Sequence, residues 1–291
     1  MDLIEIPTTG GLVFSARVDG PAGGRPVILL HGFPQTSRCW AAQLTALGDA
    51  GFRAVALNQR GYSPGARPDD VAAYRPEHLV ADVLAVADSL GVDRFDLVGH
   101  DFGGMVAWMV AGHHPDRVRT LTVASTPHPA AFRRSYKQEG ADRQGGADQH
   151  ERSSYMRTFR ESPRGEIEAS MLADRAAGLR AVYRRSEPAA IDEYVRVLSQ
   201  PGALVAAIDW YRSMSGTASA ATPPASMPTT YVWSDEDPTL GRTAAEATAD
   251  LVSGPYRFEV LEGVGHWIPE EAAERLTALV LEHLARDGRP S

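Results

Sequence analysis

Cysteine is almost missing from this chain: Cys39 is the one among 291 residues. A lone thiol closes no internal disulfide, which points to a reducing, cytoplasmic setting, and Cys39 itself reads as a small buried side chain. No apolar stretch approaches the ~20 residues that cross a bilayer. The opening Met1-Asp2-Leu3-Ile4-Glu5 has neither the basic nor the apolar region of a secretory leader. Runs of Lys or Arg are also wanting, and the formal net charge is −8. Nucleic acid and membrane surfaces are therefore excluded as partners. No Cys/His cluster has the spacing of a metal site, so neither metal nor cofactor is expected. What remains is a small-molecule ligand for a monomer or homodimer.

The composition is otherwise globular, 43% hydrophobic and 23% charged, and the length suits one domain carrying an insertion. Leu3 to Pro7 and Leu12 to Val18 read as antiparallel strands across a Gly10-Gly11 turn. Pro26 to Leu30 is a continuous apolar run, the signature of a strand buried on both faces, and Arg53 to Leu57 reads as another. Ser37 to Asp49 and Pro76 to Leu90 read as helices, Phe95 to Val98 and Val118 to Val123 as further strands. This alternation predicts an α/β fold, a mostly parallel central sheet flanked by helices with active groups at the carboxyl ends of its strands. Strand texture then ceases. Tyr136 to Ser154 is polar and predicts a long connection, Glu166 to Arg185 and Glu187 to Met214 predict helices, and Ser215 to Ser226 is a low-complexity linker. Strands resume at Thr229 to Trp233 and Tyr256 to Leu261. Residues 1–127 and 224–291 are accordingly expected to form one core, interrupted by a helical insertion over 128–223.

The stretch Leu97-Val98-Gly99-His100-Asp101-Phe102-Gly103-Gly104 joins a strand to an apolar helix. Glycines on both sides let the backbone fold back and expose one side chain, the geometry of a nucleophile elbow. Its usual form is G-x-S-x-G. Here an aspartate takes the place of serine, and the chemistry narrows. A serine attacks acyl carbon, whereas a carboxylate attacks saturated carbon and forms an alkyl ester that water can hydrolyse. The plainer reading of Asp101 is a helix N-cap.

Hydrolysing such an ester requires a base and an acid to orient it. Gly263-Val264-Gly265-His266-Trp267 follows the last strand, which makes His266 the candidate base. The strand ending at Trp233 runs into Ser234-Asp235-Glu236-Asp237-Pro238. Asp237 is preferred as the orienting acid because Pro238 fixes the chain beyond it, with Asp235 as the alternative. The loop Ala124 to Ala131, after the preceding strand, contains no carboxylate. Charge developing on the ester oxygen needs amide donors. The amides of Phe102 at the elbow and of Phe33 in His31-Gly32-Phe33-Pro34 are the candidates. Together with the helix N-terminus they should keep Asp101 ionised.

At this point the chain resembles the α/β-hydrolase fold family, and within it the epoxide hydrolases, over nearly its whole length. His31-Gly32-Phe33-Pro34 is similar to the HGxP oxyanion motif, whose proline is often cis, and Arg60-Gly61-Tyr62 resembles its R-G-Y segment. Gly99-His100-Asp101-Phe102-Gly103-Gly104 is similar to G-H-D-W-G-G, with Phe102 in place of tryptophan. The order nucleophile, acid, histidine matches Asp101, Asp237, His266. Within the insertion, Tyr155-Met156-Arg157-Thr158-Phe159-Arg160-Glu161 resembles the cap motif Y-x-x-x-F-x-E/Q, and Asp209-Trp210-Tyr211-Arg212 resembles the later N-W-Y-R.

The resemblance implies that Tyr155 and Tyr211 donate hydrogen bonds to an epoxide oxygen, that the insertion is a helical cap domain, and that the product is a vicinal diol. The chemical need is plain, since ring opening leaves an alkoxide that two phenols can polarise or protonate. Trp40, Trp210, Trp267 and His100, with Phe33, Phe102 and Trp108, are expected to favour an apolar epoxide. Two alternatives stay open. One is a haloalkane or haloacetate dehalogenase using the same aspartate, although Phe102 and Met105 stand where haloacetate enzymes carry arginines. The other is a hydrolase-like binding protein without turnover. Ser234 also departs from the pattern, standing where the acid loop commonly has glycine.

Overall fold

Strands whose side chains are apolar on both faces can only be stable in the middle of a layered structure, and here five of them occupy it. The computed structural model describes residues 1–137, 146–183, 185–214 and 221–287. β1 (Asp2–Pro7) is a mostly exposed edge, and β2 (Val13–Asp19) buries alternate residues. β3 (Pro26–Leu30), β4 (Arg53–Leu57), β5 (Phe95–His100), β6 (Val118–Ala124) and β7 (Thr229–Ser234) are buried almost throughout. β8 (Tyr256–Leu261) closes the other edge half-buried. They form one sheet in the order β1-β2-β4-β3-β5-β6-β7-β8, antiparallel across β1, β2 and β4 and parallel from β4 onward.

Before β6 the flanking helices are α1 (Ala41–Asp49), α2 (Pro76–Ser89) and α3 (Phe102–His113). Between β6 and β7 come α4 (Pro129–Lys137), α5 (Gly146–Arg152), α6 (Ser154–Glu161), α7 (Glu166–Arg180), α8 (Pro188–Leu198) and α9 (Ala203–Ser213). After β7 follow α10 (Arg242–Ala247), α11 (Ile268–Glu271) and α12 (Ala273–Asp287). None of the helices among the described residues is long and apolar enough to cross a membrane.

The winding of the sheet sets where a site can form. From β3 the chain goes one way to make β4, then returns past β3 to make β5, so the loops leaving β3 and β5 diverge and open a crevice. The His31–Pro34 loop, with its cis Phe33-Pro34 bond, and the turn at Asp101 meet there. Gly103 makes the approach possible: a Cβ at that position would lie 2.1 Å from the Leu30 carbonyl oxygen.

The insertion differs from its expected form in three places. The polar stretch 136–154 contains helix rather than only connection, although 138–145 lie outside the described residues. Gln149 explains the order that composition hides: it is buried, its amide donates to the Thr239 carbonyl at 2.9 Å, and its oxygen accepts from the Gly241 amide at 2.8 Å. The helix expected over 187–214 is two, broken where Pro201 precedes Gly202 at φ 73°. The helix expected over 166–185 ends at Arg180 and is kinked at Ala173 to Ala176, three of whose residues have positive φ. Of the linker 215–226, 215–220 lie outside the described residues, and Ala225 makes an isolated parallel bridge to Val252.

One flank of the insertion is tied to the core by hydrogen bonds. The Tyr183 hydroxyl donates to the Pro34 carbonyl at 2.7 Å. The hydroxyls of Ser186 and Tyr194 both donate to the half-buried carboxylate of Glu270 at 2.9 Å, which also accepts from Gln35 at 2.6 Å.

Candidate active site

Asp101 stands between β5 and α3 at φ 51°, a backbone conformation that a residue with a Cβ holds only when its surroundings enforce it. They do. The Thr126 hydroxyl and the Met105 amide both donate to the Asp101 carbonyl, at 2.7 and 3.0 Å. Gly32 presses on the side chain so closely that a Cβ there would fall 2.2 Å from Asp101 Cβ. The carboxylate makes no capping bond to α3, so the N-cap reading does not hold. Oδ1 instead accepts from the Phe33 amide at 2.8 Å, the neighbouring Phe102 backbone favours the charged carboxylate, and Oδ2 lies 3.4 Å from Nε2 of His266.

His266, on the loop after β8, presents its other nitrogen to the acid loop after β7. Its Nδ1–H donates to Oδ2 of Asp237 at 2.8 Å. Thr239 completes the contact: its hydroxyl donates to Asp237 Oδ1 at 2.7 Å and lies 3.1 Å from Nδ1. Thr239 carries no motif in the sequence alone, but an Asp followed by Pro-Thr is the pattern of an Asx turn, and the Thr239 and Leu240 amides donate to Asp237 Oδ1 accordingly. Asp235 is elsewhere, accepting from the Gly263 amide at an exposed turn. Ser234 ties the two loops together by donating to the Gly265 carbonyl at 2.7 Å. That bond gives a reason for serine where glycine is common.

Burial opposes charge on each of these groups, and their mutual attraction overcomes it. On His266 the carboxylates of Asp237 and Asp101 outweigh burial and push the imidazole up to about 10. On Asp101 burial is outweighed by the hydrogen bond and charge of His266, and the carboxyl falls below its usual range. On Asp237 the charge of His266, with hydrogen bonds from Thr239, does the same. At neutral pH an imidazolium therefore sits between two carboxylates. Because His266 holds its proton more tightly folded than unfolded, its contribution to stability is full below pH 6.5, declines as pH rises, and is gone above about 10. Urea midpoints should accordingly fall more between neutral pH and pH above 10 in the wild type than in His266→Gln. Equal falls would contradict this electrostatic picture.

Across the crevice, Tyr155 on α6 and Tyr211 on α9 face Asp101. Their rings meet edge-on at 6.0 Å, and burial raises both phenols' pKa, with the Asp101 charge adding to it, so both remain donors. Tyr211 packs edge-on against Phe102, Phe159 and Phe33 at ring separations of 4.6, 5.0 and 5.3 Å. The rest of α9 is bolted down. The Trp210 indole donates to the Arg60 carbonyl at 3.0 Å, and the Ser213 hydroxyl donates to the Tyr74 carbonyl at 2.8 Å. Asp209 is fully buried between Arg164 and Arg212, each at 2.9 Å, while Glu168 holds Arg212 at 2.6 Å. A carboxylate rather than an amide at 209 thus finds two guanidinium partners.

A cavity of about 430 Å³ opens beside Asp101, with Phe102 and Met105 on the core side, Tyr155, Met156 and Tyr211 on the insertion side, and Leu240 from the acid loop. Trp40, Trp210, Trp267 and His100 do not line it. Trp40 and Trp210 are consumed by packing in the core. Trp267 packs edge-on against His266 and at a tilt against His100 and Tyr183. His100 is wholly buried, kept neutral because burial lowers it to about 4, and donates from Nε2 to the His266 carbonyl at 2.8 Å. It holds the histidine loop rather than a ligand. The apolar lining comes instead from Met105, Met156, Met214, Phe132 and Leu240. Met105 stands where related haloacetate enzymes carry an arginine, and no motif marks the other positions.

Residues 25–273 match the alpha/beta hydrolase fold family. The chain is 31% identical to "Epoxide hydrolase A" of Mycobacterium tuberculosis, the match covering 95% of each. It is 30% identical to "Epoxide hydrolase 4" of Mus musculus, over 96% of this chain and 78% of that one. Among solved structures, one of "novel epoxide hydrolases" from metagenomes of hot environments superposes with a TM-score of 0.82 at 28% identity, covering 98% of both chains.

Proposed function

The chain belongs to the alpha/beta hydrolase fold family, in its epoxide hydrolase group, and is a hydrolase acting on ether bonds; from that premise we propose that it converts an apolar epoxide to a vicinal diol through a covalent ester on Asp101. The observation that carries this reading is one cavity holding the Asp101 carboxylate opposite two protonated phenols, Tyr211 buried and Tyr155 half-buried. Asp101 attacks an epoxide carbon, the C–O bond breaks, and the alkoxide takes the proton of Tyr155 or Tyr211. The tyrosinate recovers its proton from His266, whose hold weakens once Asp101 has become a neutral ester. Neutral His266 then removes a proton from water as the water oxygen attacks the ester carbonyl carbon. The Phe33 and Phe102 amides receive the oxyanion. When the intermediate collapses, the carboxyl proton passes to the departing diol oxygen, and Asp101 carboxylate, His266 imidazolium and both phenols are restored. Atoms and charge balance over the cycle, and Asp237 keeps Nδ1 of the imidazole oriented throughout. In this reading residues 128–223 form the cap and 1–127 with 224–291 the hydrolase core.

A dehalogenase gains no support from the site: it needs N–H donors for a leaving halide, and the nearby Trp210 indole is already committed to Arg60. A binding protein without turnover would have no use for the aligned Asp101, His266 and Asp237. The test is ring opening itself. Tyr155→Phe and Tyr211→Phe should each slow diol formation from styrene oxide and bulky polycyclic epoxides by ~10²-fold, and together by ~10⁴-fold, with unchanged thermal unfolding. A double variant as fast as wild type, or faster release of halide from matched alkyl halides, would remove the assignment.

A further inference from the structure

We propose that the preferred epoxide carries an anionic group, a carboxylate above all, received at the cavity mouth by Arg157 and Arg160 of α6. This rests on the epoxide reading and narrows its substrate class. Among the described residues four basic side chains line the cavity, Arg133 and Lys137 from α4 and Arg157 and Arg160 from α6, while Asp101 is the one acidic residue. That balance is the reverse of the whole chain, which has 37 acidic residues to 29 basic. The spacing sharpens the point. Positions 133 and 137, like 157 and 160, are neighbours on their helices, and like charges so placed weaken a helix.

Half-buried arginines of the core are claimed by carboxylates at close range, as Arg60 by Asp82 at 2.6 Å and Arg25 by Asp96 at 2.6 Å. At the mouth, Arg157 has no ion-pair partner among the described residues. Among the same residues Arg160 has only Glu161 at 3.7 Å, both side chains largely exposed. The rest of the lining is mostly apolar, with Met105, Phe132, Met156, Met214 and Leu240. A molecule matched to this cavity presents its epoxide to Asp101 and the two tyrosines, an apolar body to the methionines, and an anion to the guanidiniums. A planar guanidinium pairs best with a two-oxygen anion.

The test compares an ω-epoxyalkanoate with its methyl ester and with the matching ω-epoxyalkyl phosphate, across a chain-length series. At low ionic strength kcat/KM should be about tenfold higher for an anion than for the ester, mainly through KM, and the advantage should shrink as salt screens it. In Arg157→Gln/Arg160→Gln the anion-to-ester ratio should fall about tenfold, and in Arg157→Glu/Arg160→Glu it should fall below one. Preference for either anion supports the proposal, the two arms saying whether carboxylate or phosphate is favoured. Equal kcat/KM for the three wild-type substrates, or a ratio unmoved in both variants, overturns it while leaving the epoxide reading intact. No diol from any of the three, ester included, overturns both.

Discussion

Asp101→Asn should lower diol formation by ~10⁴-fold or more, equivalent to about 5.5 kcal/mol of barrier, without unfolding the protein. The substitution keeps the planar shape and leaves one oxygen to accept the Phe33 amide. It removes only the charge and the nucleophilic lone pair. If water instead attacked the epoxide directly, with Asp101 merely activating it, an amide could still orient that water and the loss would be far smaller. A wild-type single turnover in heavy-oxygen water separates the two routes independently. The ester route places the first heavy oxygen in the peptide containing Asp101 and leaves the first diol unlabelled. Label found in the diol and not in that peptide would end the covalent proposal.

His266→Gln should fail at a different point. Asp101 keeps the Phe33 amide as donor and both tyrosines stay in place, so ring opening continues, but no base remains to take the proton from attacking water. Turnover should fall by ~10³-fold after a burst of one equivalent. The enzyme should gain the mass of the epoxide on Asp101, stable enough for intact-protein mass spectrometry. Loss of turnover with no adduct would mean that His266 acts before the ester forms, contrary to the sequence of steps above. Asp237→Asn should resemble this variant in kind, since the imidazole would lose the partner 2.8 Å from Nδ1.

The sheet was readable because its strands are apolar on both faces, a pattern that survives without tertiary information, and the elbow because an aspartate between glycines has few other uses at a strand-to-helix turn. Asp237 and His266 followed from their places after successive strands. The insertion was harder. Its helices lean on a few long-range anchors, such as Gln149 reaching Thr239 and Gly241, that polar composition disguises. The cavity lining was misjudged for a related reason. Large aromatics near the motifs invite assignment to a ligand, yet Trp40 and Trp210 are wanted by the core. The actual lining is methionine, leucine and Phe132, brought together from α3, α4, α6 and the segments after α9 and β7, residues that no local pattern connects.

The Glu270 network has a mechanical consequence. Ser186 and Tyr194 fasten the insertion to Glu270, and Gln149, Trp210 and Ser213 fasten it at other edges through Thr239, Arg60 and Tyr74. A roof pinned at several eaves cannot lift as one piece. The height of the two phenols above Asp101 is therefore set by the frame itself, not by the molecule that enters beneath them.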